Sequence, residues 1–281
     1  MSRGRLREIK KKVQATKNLM KITRAMEMVA RAKVRKFERA FRAFKEYMKE
    51  VERIKESMFS PESDHPLLAG GEGTVIFVFT SDLGLCGAYN SEVVRRAEQE
   101  GERTADLKGY VVIGSRGVPH FRKLSLLKSY EKLYDFPTVE VASLLADQVV
   151  NLVKGGEAGR IKVVYNEFIN ALIQRPKVVD LVPVKLSGKN TNFEYEPSTE
   201  DMVDSFLYFY LTSKMMEMMF EAKVSEYYAR QNAMKNATDN ANEMIRTLTL
   251  EYNKARQASI TQEIIEIVNG AEALKEIEEA G

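Results

Sequence analysis

Apolar residues recur along this chain in two rhythms. From Arg5 to Ser60, and again from Ser198 to Asn269, there is neither glycine nor proline. Within these spans apolar and small residues return in steps of three and four. One series runs from Ile9, Val13, Thr16 and Met20 through Met26 and Phe37 to Ile54 and Met58. The other runs from Val224, Tyr227 and Gln231 through Thr238 and Leu248 to Ala255 and Ser259. Such steps place the residues on one helix face. Each span therefore predicts a single long helix, of roughly 80 Å and 105 Å at 1.5 Å per residue. Helices of this length need a partner, so the two spans are expected to pair as a long antiparallel coiled coil, wound left-handed. Residues 1–60 and 198–281 would then form one discontinuous shaft. Its seam is weak, because Thr, Ala, Gln and Ser fill many positions.

Residues 61–197 break the rhythm. They hold all 7 prolines and most of the glycines. Short Val- and Ile-rich runs, TVIFVFTSD (74–82), GYVVIG (109–114), IKVVYNEF (161–168) and VVDLVPV (178–184), read as buried strands. NSEVVRRAEQEG and TVEVASLLADQVVNLVKGG, between them, read as helices. Continuous apolar strands alternating with helices predict an inserted α/β domain with a Rossmann-like, mostly parallel sheet. The fold class expected is thus α/β, the insert being carried on the paired terminal helices.

The end of the second helix departs from a simple seam. Ile260, Ile264, Ile265, Ile267, Val268 and Ala271 spread over about 160° of the circumference, more than one helical partner can cover. This predicts a further apolar contact near the end of the chain.

Charge separates the halves. Residues 1–58 carry 19 Lys/Arg and 7 Asp/Glu, a balance of +12, and the remainder 24 and 33, a balance of −9. A basic helix suits an acidic partner or a nucleic acid. It suits equally a solvated face. The stretch 21–42 mixes cations with Met26, Met28, Val29 and Phe37 but lacks aromatic stacking platforms, and Met26 fits both the seam and a partner contact. A basic coiled-coil nucleic-acid-binding protein remains the alternative function on these grounds.

Catalytic chemistry finds little support. One cysteine, Cys86, excludes an intrachain disulfide, and it has no histidine near it in sequence. His65 and His120 are too few for a multi-histidine metal site. IGSRG (113–117) follows a strand but lacks the phosphate-loop spacings. No catalytic, cofactor-binding or metal residues are assigned. No apolar run reaches the ~18 residues of a membrane span, and no secretory or transit pattern is read at the N-terminus.

Three stretches, KITRAMEMVARAK (21–33), SDLGLCGAYN (81–90) and MKNATDNANEMI with YNKARQASITQEIIEIVNGAEAL (234–274), resemble the γ subunit of F-type ATP synthases, in order and over the whole chain. The resemblance implies a non-catalytic rotor: a helical shaft inside a ring of three α and three β subunits, with an insert standing on a c-subunit ring beside the ε subunit. It implies contacts with β at Met26, Arg256, Gln257, Thr261 and Glu263. It also implies an interface loop at Asp82 and Cys86, and an apolar bearing at Ile260, Ile264, Ile265, Ile267 and Val268. An acidic β loop would meet the basic stem, and YEP (195–197) would lie near the foot. Leu83 stands where the family usually has Arg, and Ala88 where it often has Gly. Without a thiol-bearing insert, thiol switching is not expected. A bacterial source is implied, with the chain peripheral to the cytoplasmic face of the inner membrane.

Overall fold

A computed structural model describes residues 3–58, 65–185 and 199–280, so the expectation for 195–197 lies outside the described residues. Chain order begins with helix α1 (Arg3–Met58), helix α2 (Pro66–Ala69), strand β1 (Thr74–Phe79) and helix α3 (Tyr89–Glu102). Strand β2 (Leu107–Ile113), helix α4 (Val118–Phe121), strand β3 (Leu126–Tyr130) and helix α5 (Val139–Lys154) follow. Strands β4 (Arg160–Phe168) and β5 (Gln174–Val182) and helix α6 (Thr199–Ala280) complete it. Two compact units result, Met1–Met28 with Met234–Gly281, and Val29–Ala233.

Both long helices form as their missing breakers predict. Gly270 does not stop α6. A glycine in an exposed helix costs only about 1 kcal/mol relative to alanine, too little to end a helix whose neighbours favour it.

In each unit α1 and α6 pack antiparallel along the expected seam. In the first unit Ile9, Thr16, Thr23, Thr238, Leu248 and Ser259 are buried. The Thr238 hydroxyl lies 2.8 Å from that of Thr23, and the Thr16 hydroxyl 4.0 Å from the Met244 sulfur. In the second unit the seam is aromatic. Phe37 stacks on Tyr227 at 5.2 Å and on Phe136 at 5.3 Å. Ile54 departs from the pattern and is exposed. At that level a polar set joins the helices: Glu52 reaches Lys214 at 2.7 Å and Lys55 at 2.5 Å, and Tyr210 donates to Glu52 at 3.1 Å. Burial raises the Glu52 carboxyl, but the hydrogen bonds from Lys214 and Lys55 outweigh it and hold the group below its ordinary value.

The insert is a five-stranded sheet in the order β3-β2-β1-β4-β5. Every pairing is parallel except β4 with β5, so the sheet is mostly parallel, as expected. All six residues of β1 are buried, which is why that run reads as continuously apolar. Ile76 and Val78 face a cluster with Val93 and Ala97 of α3. Val75, Phe77 and Phe79 face another with Leu145 and Val149 of α5 and Leu207, Leu211 and Met215 of α6. Each such side chain contributes roughly 1.5–3 kcal/mol by leaving water.

Strand limits differ from the sequence reading at identifiable places. β1 stops at Phe79, because Thr80–Asp82 turn away into a loop. β5 starts earlier, at Gln174, where antiparallel pairing with β4 carries a half-exposed segment that has no continuous apolar signal. β3 has no strand signal in the sequence. It is an edge strand with its middle three residues exposed, so its sequence lacks the buried pattern.

Candidate functional site

In an open α/β sheet the ligand crevice lies at the carboxyl ends of the strands where the winding reverses, here between β1 and β4. In this chain α6 fills that place. Glu221 accepts hydrogen bonds from the Tyr165 hydroxyl at 2.9 Å and the Phe168 amide at 3.3 Å. Tyr89 donates to the Ala222 carbonyl at 3.1 Å, and Asn166 donates to the Tyr89 carbonyl at 2.9 Å. Burial pushes the Glu221 carboxyl up and the Tyr89 and Tyr165 hydroxyls well up, so both tyrosines stay protonated donors.

The IGSRG turn is occupied too. The amide of Gly114 donates to the Tyr130 carbonyl, that of Ser115 to Asp82, that of Arg116 to the Ser81 carbonyl, and that of Gly117 to the Thr80 hydroxyl. These amides are turned into the fold, not outward to a phosphate. Gly114 sits at φ +100, where an added Cβ would lie 2.1 Å from the Thr80 carbonyl oxygen. Only glycine fits there.

Asp82 and Cys86 both serve the loop that carries them. One Asp82 oxygen accepts from the Ser115 amide and hydroxyl at 2.9 Å and from the Lys132 amide at 2.8 Å. Cys86 is buried, with Asn90 Nδ2 3.3 Å from its sulfur and the Ser81 hydroxyl 3.7 Å away. Burial pushes its thiol up, against a smaller opposing effect of Ser81. A maleimide should therefore label the folded chain far more slowly than the denatured chain, because the thiolate is both scarce and covered; equal rates would contradict this placement. The large apolar residues the loop does expose are Leu83, at 65%, and Leu85, at 59%. Their pattern in sequence, two leucines in a glycine-rich turn, gave no periodic signal.

Further exposed apolar residues flank the seam. Leu19, Ile22 and Val29 are exposed and Met26 is half-buried. The spacing 19, 22, 26, 29 is itself a second helical stripe beside the first, and it could have been read from the sequence. On α6, Arg256, Gln257, Thr261 and Glu263 are exposed, and the Thr261 hydroxyl donates to the Gln257 carbonyl at 3.0 Å. Ile260, Ile264, Ile265, Ile267 and Val268 are all exposed, Ile267 at 71%. The seam proper ends at Ser259, and this apolar arc continues beyond it.

Several cations of α1 pair within the chain, Lys33 with Asp135 at 2.7 Å and Lys12 with Glu8 at 2.8 Å among them. The Lys33 hydrogen bond holds the Asp135 carboxyl below its ordinary value. Among the described residues no group of three His, Cys, Asp or Glu could hold a metal ion, and no helix is long and apolar enough to cross a membrane.

A helix pair bearing an α/β insert, with the usual ligand crevice filled by its own helix and with apolar faces left open on the pair, defines a mechanical or assembly subunit. The ATP synthase family model matches residues 5–274. An ATP synthase gamma chain from Symbiobacterium thermophilum is 38% identical over 280 residues, covering 95% of this chain and 97% of the relative. One from Rubrobacter xylanophilus is 36% identical over 284 residues, covering 96% and 98%. In fold the chain is similar to one in the mitochondrial ATP synthase of Euglena gracilis, a structure described as OSCP/F1/c-ring in rotational state 3. Its TM-score is 0.75 over 97% of this chain and 95% of that one, at 18% identity. The chain belongs to the ATP synthase gamma-subunit family. It is the central-stalk rotor, a non-catalytic part of the complex that couples proton transport to ATP synthesis.

Proposed function

We propose that a single copy of this chain turns inside a ring of three α and three β subunits, with residues 1–60 and 198–281 as the shaft and 61–197 as the insert. The insert stands on a c-subunit ring beside ε, with the chain peripheral to the cytoplasmic face of a bacterial inner membrane. The observation that carries this reading is the exposed apolar arc from Ile260 to Val268, which continues past the point where the seam ends. A sleeve of the ring would cover it. Non-directional apolar contact suits a turning bearing, since it has no hydrogen-bond register to break. The Euglena structure, whose description includes F1 and a c-ring, supports these partners by likeness of fold.

Polar contacts with β would then set the angle. Arg256, Gln257, Thr261 and Glu263 are exposed on α6, and Met26 lies half-buried on the flank of α1. The loop of Asp82 and Cys86 meets β through Leu83 and Leu85, with the two named residues shaping it from inside. Counting subunits in the purified complex tests the reading: one copy of this chain per three β is expected, and equal copies would overturn it.

Met26→Lys provides a sharper test of the β contact. Because the position is only half-buried, the chain should fold and assemble, with the new cation facing a polar loop of the partner. Fewer protons pumped per ATP hydrolysed are expected in membrane vesicles. An unchanged ratio would remove Met26 from the interface.

A further inference from the structure

Where α6 meets the sheet, its bonding changes character along its length. From Val203 to Met219 the face of the helix turned to the sheet is apolar, including Met215, Met218 and Met219. The polar contacts of this stretch run to other helices, as from Tyr210 and Lys214 to Glu52 of α1 and from Asp204 to Lys154 of α5. Thioethers on unbranched stems adapt their shape readily and resist rotation about the helix axis weakly. From Glu221 to Asn232 the contacts become directional. Beyond the Glu221 bonds described above, Arg230 reaches the 83–84 turn. Its Nη2 donates to the Leu83 carbonyl at 3.0 Å and its Nε to the Gly84 carbonyl at 3.3 Å. Asn232 donates to the Ala171 carbonyl in the β4–β5 hairpin at 2.8 Å.

Arg230 is itself held on the helix. Its Nη1 lies 2.8 Å from Glu226 Oε1, and Lys223 lies 3.1 Å from the other oxygen of that carboxylate. All three side chains are more than nine-tenths buried. The guanidinium also lies over the Tyr227 ring, 5.1 Å from its centre, and Lys223 over that of Tyr134 at 4.9 Å. A buried ionic set of this kind adds little net stability compared with apolar packing, but it defines geometry. The turn it grips is also conformationally committed. Leu85 is a non-glycine residue at φ +62, a conformation that costs on the order of 1 kcal/mol and persists only where its surroundings enforce it.

We propose that Glu226 and Arg230 form a rotational key, through which α6 and the 83–85 turn of the sheet move as one body when torque is applied. Apolar packing supplies the adhesion between helix and sheet, and the forked guanidinium supplies the angular register, because hydrogen bonds weaken steeply as they bend. Arg230 is a positioning residue in this scheme: it touches no nucleotide and fixes the angle at which Leu83 and Leu85 are presented. The inference rests on the rotor reading.

The test is the torsional stiffness of the assembled complex, with β immobilised and a bead attached at the exposed Lys123→Cys position. The buried native thiol of Cys86 does not compete for the linker. Bead fluctuations are compared for Arg230→Met, Arg230→Lys and Val224→Ala, the last being a control that loosens the buried seam without touching the key. Arg230→Lys keeps the charge beside Glu226 but loses the fork that spans two carbonyls. Loss of stiffness in both Arg230 variants, with the control unchanged, is the expected result. Should Arg230→Met fail to assemble, Arg230→Lys decides. Unchanged stiffness, or the same loss in Val224→Ala, would overturn the key. A complex in which even the native chain does not turn would instead overturn the rotor reading.

Discussion

Replacing both Ile264 and Ile265 with aspartate is expected to leave the isolated chain folded and to prevent its incorporation into the complex. Both residues are exposed, at 55% and 47%, beyond the last buried seam position, Ser259. Aspartate there meets water in the free chain, so circular dichroism and thermal unfolding should scarcely change. Inside a sleeve of the ring the same carboxylates would be buried without partners. An uncompensated buried charge costs on the order of 3–5 kcal/mol, and 1.4 kcal/mol is tenfold in an equilibrium constant. Recovery of assembled complex should thus fall by about a hundredfold or more for the pair. Normal yield would show that the arc is open to solvent in the assembly. Unfolding of the isolated variant would show that it packs within the chain instead.

Phe37→Ala is expected to have the largest effect on stability among single changes in the helix pair. Phe37 is 1% exposed and lies between Phe136 and Tyr227, in a cluster that includes Val34, Phe41, Phe220 and Val224. It joins α1, α6 and the segment between β3 and α5. Removing a buried phenylalanine leaves a cavity and costs about 3–5 kcal/mol, a large part of the total stability of an ordinary domain. Denaturant unfolding of the purified chain should show this as a lower midpoint. A change below about 1 kcal/mol would mean that the aromatic cluster closes over the gap. The basic groups around it, Lys36 over the Phe136 ring at 4.6 Å and Lys33 near Tyr227, remain in the variant, so the loss would report packing and not charge.

These two changes mark different limits of sequence reading. The seam that buries Phe37 was legible, because steps of three and four with no breaker leave a helix only one apolar face. The arc holding Ile264 was legible as an excess over that seam, and the structure leaves it exposed. The second stripe of Leu19, Ile22 and Val29 was equally periodic but lay beside a stronger pattern. β3 was not legible, since an edge strand exposed along its middle carries no alternation that distinguishes it from a loop. Asp82 and Cys86 stood out in the 80–90 loop by residue type. Only the fold revealed that they face inward, bonded to Ser115, Lys132 and Asn90, while Leu83 and Leu85 face out.

By itself the sequence determined the long helices, their antiparallel pairing, the strand-rich insert and the family, because periodicity, breakers and contiguous motifs are local properties of the chain. Tertiary structure alone decided which residues occupy the crevice between β1 and β4, where Glu221, Tyr165 and Tyr89 meet, and which carbonyls Arg230 holds. Residues 230 and 84 are far apart along the chain, and no periodicity links them. Their meeting follows from how α6 settles on the sheet, a consequence of packing both faces at once.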